Sequence, residues 1–415
     1  MTTDSGVRPL RLGSAHRRRR LRAALSSAVT VVTAVGLLFT LSVGVANARP
    51  RSASSTPSVS VRLGEWRVSA RQSHAPTIPI TGGAENGFGG FNGVSCPSAS
   101  ECVAVGADSN LGGVASTSKD GGGTWQQGST ATGLPSLNAV DCPSVTDCVA
   151  VGQGVSVRSS DAGASWHATT VPTANTALLG VSCPSVTLCV SVGVAPGVGG
   201  PLAGQLLVSS DGGSTWKVPS LPTSVGALGS VDCPSTTFCV AVGAGIVIST
   251  DGGQTWRQRG VDGGTGVLRS VSCVSNTNCV ALGPNPTVAQ DSLASAFEVV
   301  TSNAGVTWTS VAMPPASATA DVVSCSRVAG CRAAGAAIAT DPAIVLSSGD
   351  GHSWSSQSQV AGALTAVSAL SCPAANVCVF VGRHHDTPVS LKSTDGSGSG
   401  ETSVTSVVRT QKGAR

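Results

Sequence analysis

The sequence contains no tyrosine, and aromatic residues make up only 3% of its 415 positions. Charged residues are also scarce, at 11%, with four lysines against 21 arginines. Sites that bind polysaccharides usually expose aromatic rings, so this scarcity disfavours an enzyme that acts on polysaccharides. The shortage of charge predicts a surface made mostly of serine, threonine, glycine and asparagine.

The excess of positive charge lies in the first 48 residues. The whole chain has 25 Lys and Arg against 21 Asp and Glu, and residues 1–48 hold seven arginines and one acid, Asp4. The remainder therefore has 18 basic and 20 acidic residues, a net charge of −2. Nothing in this balance favours a nucleic-acid partner.

Residues 1–48 are predicted to be a targeting segment. A run of arginines precedes the uncharged residues 23–48, which end in the cleavage signal Ala46-Asn47-Ala48. The uncharged run is also long enough for a transmembrane helix, so a cleaved signal peptide and an N-terminal membrane anchor both stay open. Either reading predicts export, with the chain secreted or held on the outer side of the cytoplasmic membrane. Residues 49–60 are a Ser/Pro-rich linker.

A motif of the form S-x-D-x-G-x-T-W recurs and is clearest at residues 249–256. Each copy predicts a β-hairpin turn in which Ser and Asp accept amide hydrogen bonds, Gly takes a positive φ, and Trp begins the next strand. Weaker copies occupy 301–308, with Asn303 for Asp, and 347–354, with Gly349 at the Asp position. The residues assigned to these structural turns are Ser118, Asp120, Gly122, Trp125, Asp161, Trp166, Asp211, Trp216, Asp251, Trp256, Trp308 and Trp354. Because each Asp serves its own turn, we predict no metal site and no catalytic site there.

All 14 cysteines form seven C-x5-C pairs whose first members lie 40 to 52 residues apart. A repeat of this length, rich in short strands, predicts a β-propeller. Each pair flanks a tight hairpin, and the predicted export supplies an oxidising compartment, so structural disulfides are expected, with buried reduced thiols as the alternative. Zinc would require C-x2-C spacing and further ligands, which the sequence lacks. The pairs are Cys96/Cys102, Cys142/Cys148, Cys183/Cys189, Cys233/Cys239, Cys273/Cys279, Cys325/Cys331 and Cys372/Cys378.

These repeats predict an all-β, seven-bladed β-propeller with four-stranded blades over residues 61–410, followed by the tail 411–415. Repeats begin near residues 91, 137, 178, 228, 268, 320 and 365. The last repeat lacks a box Trp, and Trp66 lies in a strand-like segment ahead of the first repeat. We therefore expect the N-terminal strand at Trp66 to close the last blade, with residues 401–409 as the alternative fourth strand.

The boxes resemble the Asp-box (BNR) repeats of sialidase-like propellers, and the whole repeat resembles secreted propellers related to photosystem II assembly factors. The resemblance covers about residues 61–409 and implies the propeller fold. A sialidase of this fold uses a tyrosine nucleophile and an arginine triad, so a chain without tyrosine is not a conventional sialidase. Asp-box propellers include hydrolases, binding proteins and assembly factors, so the resemblance implies no single function.

The topology of such blades predicts that cysteine hairpins and Asp boxes share one face of the ring. The opposite face then carries the irregular loops at 107–113, 194–205, 284–296 and 383–388, where a binding site is more often found. Candidate binding residues there are Arg257, Arg259, Arg269, Arg383, His384, His385 and Asp386. Arg257, Arg259 and Arg269 bracket Asp262, and Arg383 is expected on the same face. These arginines could hold a carboxylate or an acidic partner, or they are solvated loop charges.

The sequence favours an exported, non-catalytic propeller that acts as a protein-binding or assembly scaffold at the cell envelope, without a cofactor. Its partner would be an envelope protein or glycan, with membrane contact only through the N-terminal segment. A divergent glycoside hydrolase is the alternative, and its carboxylates would come from the scattered acids Asp291, Glu298, Asp321 and Asp341. A passive surface protein is a third hypothesis.

Overall fold

In the computed structural model the chain divides into two compact units, Met1–Arg71 and Gln72–Arg415, and every described residue belongs to the second. The structure describes residues 90–108, 110–130, 133–173, 176–196, 202–222, 225–261, 267–283, 296–314, 320–326, 330–335, 343–356, 364, 366–374, 377–384, 387–393 and 403–406. The predicted leader, linker, Trp66 strand and tail lie outside these ranges. Within them, no helix could cross a membrane.

The predicted all-β, seven-bladed propeller is confirmed: the described strands form seven antiparallel sheets, six with four strands and one with three. Blades one and two contain β1 (Gly90–Ser95), β2 (Cys102–Ala107), β3 (Gly113–Ser118), β4 (Gln126–Gln127), β5 (Leu137–Asp141), β6 (Cys148–Gly152), β7 (Ser156–Ser159) and β8 (His167–Thr169). Blades three and four contain β9 (Ala177–Ser182), β10 (Cys189–Ala195), β11 (Ala203–Ser209), β12 (Leu228–Asp232), β13 (Cys239–Gly243), β14 (Ile246–Ser249) and β15 (Arg257–Arg259). Blade five contains β16 (Ser270–Cys273), β17 (Cys279–Gly283), β18 (Phe297–Thr301) and β19 (Thr309–Ala312). Blades six and seven contain β20 (Ala320–Ser326), β21 (Gly330–Gly335), β22 (Ile344–Ser348), β23 (Ser355–Ser356), β24 (Ala366–Ala374), β25 (Val377–His384), β26 (Thr387–Ser393) and β27 (Ser403–Ser406).

The second strand of each blade is a short, continuous apolar run because both of its faces are covered. In β6 and β13 every residue is buried. Neighbouring blades supply that cover: Trp166 of blade two packs in one cluster with Val103 and Val105 of blade one. The core is therefore a series of apolar layers between blades, and each blade depends on its two neighbours for burial.

The inner strands close into a ring. Each inner strand packs against the next, in the order β1, β5, β9, β12, β16, β20, β24, and β24 packs against β1. All four strands of blade one come from the first repeat, and all four strands of blade seven come from the last. The described part of the chain thus closes the ring without exchanging a strand between these two blades.

Blade seven corrects one prediction. Its fourth strand is β27, Ser403–Ser406, which pairs with β26. The segment 401–409, the alternative left open by the sequence, therefore occupies the position expected for the Trp66 strand. A hairpin continuation is the shorter connection, because β26 and β27 are adjacent in the chain.

Blade three is the three-stranded exception to the predicted four strands. Its outer segment pairs with β11 only at Val208 and Lys217, which exchange two backbone hydrogen bonds of 2.9 Å. Two residues farther on, Pro219 has no N–H to donate to the carbonyl of Leu206. The side chain of Gln205 donates to that carbonyl instead, at 2.9 Å.

All seven predicted disulfides are present, and each joins the inner strand of a blade to its second strand, beside the hairpin between them. Their Cα atoms lie 3.9 to 4.2 Å apart. The described residues include no free cysteine. In the entropic model, closing a ring this short stabilises the fold by about 2–3 kcal/mol.

In blades six and seven the strand pairing continues past the disulfide toward the turn, because Ser326 pairs with Gly330 and Ala374 pairs with Val377. The cysteines still flank the hairpin, as predicted. Cys378 is therefore an interior residue of β25, and its side chain is fully buried, with 0% exposure. A sulfur atom in this position is inaccessible to a ligand or a redox partner, so its role is structural.

Antiparallel order gives the ring two chemically different faces. We call the end that carries the cysteine hairpins and the Asp boxes, such as residues 143–147 and 159–166, the box face. The opposite end carries the connections between second and third strands and those between blades, such as residues 108–112 and 133–136, and we call it the loop face.

Candidate functional site

The Asp boxes satisfy their own hydrogen bonds. In blade four, one oxygen of Asp251 accepts the amide of Thr255 at 2.9 Å and the hydroxyl of Ser249 at 2.7 Å, and the other accepts the Thr255 hydroxyl at 2.6 Å. Ser249 also accepts the amide of Gly253 at 2.8 Å. Burial acts to raise the pKa of Asp251, but these bonds outweigh it and the pKa is lowered. The ionised carboxylate therefore holds the turn and is not directed at a ligand.

The two weaker boxes show which atoms the turn needs. Asn303 replaces the aspartate in blade five, and its oxygen still accepts the Thr307 amide at 3.0 Å. In blade six the prediction at Gly349 is wrong: Asp350 is the box acid, and it accepts the hydroxyl of Ser348 at 3.0 Å. That turn is one residue shorter than the others, and amide bonds from its turn lower the pKa of Asp350 to about 2.

Asp251→Ala should lower the free energy of unfolding by roughly 1–3 kcal/mol, because it leaves the Thr255 amide without its acceptor. Asp251→Asn is the matched control, since blade five already uses asparagine in this role, and it should cost less than half as much. Urea denaturation followed by tryptophan fluorescence measures both. Equal losses in the two variants would mean that the negative charge, and not the oxygen acceptor, stabilises the turn.

The box tryptophans connect each blade to the one before it. The indole N–H of Trp216 donates to Ser156 of blade two at 3.1 Å, and that of Trp125 donates to Ser390 of blade seven at 2.8 Å. The accepting serine lies three residues before the first box residue of the preceding blade. In blade five this position is Glu298, beside Trp354 of blade six.

Glu298 is a fully buried carboxyl group at the interface of blades five and six. Neither of its oxygens, nor the facing indole nitrogen of Trp354, reaches hydrogen-bonding geometry with any described partner. Burial raises the pKa of Glu298 to about 8; the neighbouring indole opposes this shift, and the charge of Asp350 adds to it. The group is therefore mostly protonated at neutral pH.

A ring of hydrogen bonds joins the blades around the central axis. The residue before the first cysteine of a blade accepts the amide of the first cysteine in the next blade, and we call these contacts the inner ring. Six are seen: Cys142 to Ser95 (3.1 Å), Cys183 to Asp141 (2.6 Å), Cys233 to Ser182 (3.1 Å), Cys273 to Asp232 (2.6 Å), Cys325 to Ser272 (3.0 Å) and Cys96 to Ser371 (3.1 Å). This ring was not predicted from the sequence, although a Ser or Asp stands before the first cysteine of every pair and is a readable signal.

The two acids of the inner ring titrate unusually. Burial raises the pKa of Asp141, and burial together with the charge of Asp141 raises that of Asp232 to about 7. Both side chains keep some solvent exposure, and each accepts a cysteine amide from the next blade. They are acceptors in the ring that holds the blades together, and the described residues contain no group of three His, Cys, Asp or Glu that could hold a metal ion.

The candidate arginines do not form one group. Arg257 and Arg259 are the ends of β15, the outermost strand of blade four. Arg269 precedes β16, the innermost strand of blade five, and its guanidinium lies 3.1 Å from the carboxylate of Asp321 in blade six. The predicted cluster around Asp262 is therefore split between the rim and the centre of the ring, and Asp262 itself lies outside the described residues.

The last blade supplies the other candidates. Arg383 is the second-to-last residue of β25, at the loop-face end of blade seven, and its side chain lies against Gly90 of blade one. The backbone of His384 continues that strand and pairs with Thr387. His385 and Asp386 lie outside the described residues.

The carboxylates considered for hydrolysis are also separated. Glu298 lies in the interior between blades five and six, and Asp321 pairs with Arg269 on the loop face. Asp291 and Asp341 lie outside the described residues. Of these two described acids, one is therefore enclosed between blades and the other is engaged in an ion pair.

Both faces of the ring expose apolar side chains, and on the box face they are Val145, Val186 and Val306, which are 48%, 48% and 61% exposed. On the loop face, Leu111, Leu202 and Val267 are 62%, 58% and 52% exposed and lie in its connections. Leu111 also has φ of +62°, the left-handed region that costs a leucine free energy. Leucine at position 111 therefore does not stabilise the fold, because its side chain is not buried and its backbone is strained.

A cleft of about 480 Å³ lies on the box face between blades five and six. Its wall includes Thr301, Asp350 and His352. The shortened box of blade six borders this space, since a turn with one residue fewer fills less of the gap between blades. Asp350 is already occupied by its own turn, as described above.

Comparison with known proteins supports the repeat assignment. The family model of the BNR/Asp-box repeat matches residues 247–258, the third and fourth strands of blade four and the box between them. A comparison with curated protein sequences finds no significant match.

Solved structures with similar folds have low sequence identity. An ancestral GH74 enzyme is 14% identical with a TM-score of 0.56, covering 79% of this chain and 47% of the enzyme. This chain thus spans about half the length of that enzyme. The WD40 β-propeller domain of Doa1 is 13% identical with a TM-score of 0.52, covering 76% of this chain and 96% of that domain. YCF48 bound to D1 peptide is 15% identical with a TM-score of 0.45, covering 63% of this chain and 78% of YCF48. The box geometry, the repeat model and the two structures with TM-scores above 0.5 together identify the chain as a seven-bladed β-propeller with Asp-box repeats.

Proposed function

We propose that this chain is an exported, non-catalytic propeller that holds a protein partner on its loop face at the cell envelope. The difference between the two faces carries the proposal. On the box face, the polar side chains of the Asp boxes are used within their own turns. The box face also exposes apolar side chains, but they lie in turns and hairpins that repeat from blade to blade. On the loop face the connections are irregular, and one of them exposes Leu111 from a left-handed backbone.

Leu111 is the most informative of these residues. Its backbone adopts a conformation that asparagine and aspartate tolerate better than leucine, and its side chain is mostly exposed. Strained residues collect at binding sites, because the surrounding structure holds them in place for a partner. Leu202, in the corresponding connection of blade three, adds a second exposed apolar group.

The proposed export rests on the N-terminal leader and on the cysteines. Seven disulfides persist only in an oxidising compartment. A loop-face partner would then be another exported or envelope protein. No cofactor enters this proposal.

The test compares two matched double variants of the full chain. Leu111→Asn with Leu202→Asn alters the loop face, whereas Val145→Asn with Val186→Asn alters two residues that are each 48% exposed in cysteine hairpins of the box face. Crosslinking in the native envelope, followed by mass spectrometry, should give a discrete partner with the wild type and the box-face variant. The loop-face variant should lose at least tenfold of that product, the effect of roughly 1.4 kcal/mol of binding energy.

Thermal unfolding supplies the control for folding. The loop-face variant should be at least as stable as the wild type, because asparagine relieves the strain at position 111. Loss of the partner in both variants would place the binding site elsewhere or point to general disruption. Equal crosslinking in all three proteins would contradict the assignment to the loop face.

The alternative function is a divergent glycoside hydrolase, favoured by the similarity in fold to the ancestral GH74 enzyme. It needs two carboxyl groups on the loop face, and Asp321 is the one described acid there whose pKa is raised, with burial as the main cause. The test measures release of reducing sugar from a panel of glycans by the wild type and by Asp321→Asn. Release by the wild type that the variant abolishes would establish hydrolysis and contradict the non-catalytic proposal.

A further inference from the structure

The junction between blades seven and one differs from the internal junctions in how the chain holds it. At the other junctions the chain passes directly from one blade to the next, for example between β8 and β9 within residues 170–176. Blades seven and one are the two ends of the ring, and among the described strands they share none. Among the residues that the structure describes, packing and side-chain hydrogen bonds are what opposes their separation.

Four polar contacts cross this junction. Ser390 of β26 accepts the indole N–H of Trp125 at 2.8 Å, and its own hydroxyl donates to the backbone carbonyl of Gly122 at 3.4 Å. The ammonium group of Lys392, on the same strand, donates to the backbone carbonyl of Asp120 in the first box at 2.5 Å. At the inner ring, the amide of Cys96 donates to the hydroxyl of Ser371 at 3.1 Å.

An apolar cluster fills the same junction. Phe91 and Val94 of β1 pack with Val379 and Val381 of β25. The ring of Phe91 lies 5.9 Å from that of Trp125, measured between centroids. Phe91 stands where blades two, three and four carry leucine, so the junction buries a larger side chain than its counterparts.

We propose that these contacts form a closure latch, and that the ring opens at this junction while its blades stay folded. The chain topology explains why this junction opens. At an internal junction the polypeptide still connects two separated blades, whereas blades seven and one have no such direct connection. Separating two neighbouring blades of a repeat protein costs less free energy than unfolding the whole chain. Such an opening is a sub-global motion and not unfolding. Ser390, Lys392 and Trp125 are the residues that set how often it occurs.

The inner ring provides a reporter at each of six junctions in one molecule. The amide of each first cysteine donates across a junction, so its hydrogen exchange becomes faster only when that junction opens. The six reporters are Cys96, Cys142, Cys183, Cys233, Cys273 and Cys325. The experiment measures hydrogen exchange of the full chain at single-amide resolution and corrects it for intrinsic rates. Among the six reporters, the amide of Cys96 should be the least protected.

A matched pair of variants tests the latch itself. Ser390→Ala and Ser156→Ala each remove the hydroxyl that accepts a box indole, at 2.8 and 3.1 Å, but only the first acts at the ends of the ring. Ser390→Ala should raise exchange at Cys96 about tenfold and leave the other reporters unchanged. Ser156→Ala should change exchange at Cys183 less than threefold, because blades two and three stay tethered.

A circular permutant separates topology from local packing. A chain that begins after residue 127 and carries blade one behind blade seven places the ends of the ring between blades one and two. The least protected reporter should move from Cys96 to Cys142. The proposal is overturned if Cys96 is still the least protected reporter in the permutant. It is also overturned if another reporter is the least protected in the natural chain. If the permutant does not fold, the six reporters and the serine pair still decide the question.

Discussion

Gly243→Ala should cost on the order of 4 kcal/mol of folding free energy and abolish folding of the propeller at physiological temperature. A Cβ atom at this position would lie 2.0 Å from the backbone carbonyl oxygen of Ala227, far inside van der Waals contact. Neither atom can move alone, because β12 and β13 are paired at this point and β12 has a bulge there. Urea unfolding of the purified domain, or loss of soluble protein, gives the measurement.

Gly245→Ala is the control, two residues away in the same hairpin. The nearest atom to its added Cβ would be the side-chain nitrogen of Gln258 at 3.6 Å, an ordinary contact, and its φ lies outside the left-handed region. This variant should stay within about 1 kcal/mol of the wild type. Similar losses in both variants would show that chain flexibility, and not the contact with Ala227, explains the glycine.

The same close approach recurs around the ring. The glycine that follows the buried C-V-x-x run has an inner-strand carbonyl within 1.9 to 2.1 Å of its hypothetical Cβ in six blades. Each inner strand has to cross closely over its neighbour at that point, and only glycine leaves the space. The six glycines are Gly106, Gly152, Gly193, Gly243, Gly283 and Gly382.

Glu298→Gln should remove a large pH dependence of stability. The folded-state pKa of Glu298 is raised from 4.5 to about 8, so the folded protein holds this proton more tightly than the unfolded chain does. Its contribution to stability is therefore fully present below pH 4.5 and is lost as the pH rises through about 8. Glutamine is neutral at every pH, so the variant should match the wild type near pH 5 and exceed it by a few kcal/mol near pH 9, as an order of magnitude.

Urea unfolding at half-unit steps from pH 5 to pH 9 measures this difference. Asp232→Asn is the comparison, because the pKa of Asp232 is raised to about 7. The stability gain of this variant over the wild type should therefore reach its full size about one pH unit lower than that of Glu298→Gln. A difference between Glu298→Gln and the wild type that stays constant over this range would mean that the carboxyl finds a partner in solution.

Much of the architecture could be predicted because its determinants are local. The serine, aspartate and glycine of the box at residues 249–256 make their bonds within eight residues, so the motif reveals the turn directly. The cysteines at C-x5-C spacing flank one hairpin and pair with each other. Recurrence of both motifs in step was enough for the seven blades and for the assignment of the two faces.

The predictions that were wrong depended on which of two residues or segments makes a contact in the folded protein, and the sequence alone did not decide this. In blade six, spacing pointed to Gly349, but the side chain that meets Ser348 is Asp350, because that turn is one residue shorter. The closing strand at Trp66 and the segment 401–409 were both candidates in the sequence, and pairing with β26 decided for Ser403–Ser406. The arginines appeared close because they are close in the chain, whereas the blade places Arg257 on its outer edge.

The sequence by itself determined the repeat, the fold, the disulfide pairs and the division into a box face and a loop face, since each follows from contacts within one hairpin. Only the tertiary structure decided what happens between blades. Five contacts of the inner ring join residues 41 to 53 positions apart, and the sixth joins Cys96 to Ser371, 275 positions away. The Trp125–Ser390 contact also joins the two ends of the ring, and Glu298 is buried by a blade that its own repeat does not contain. Such contacts leave no fixed spacing in the sequence, because they depend on how one complete blade packs against the next.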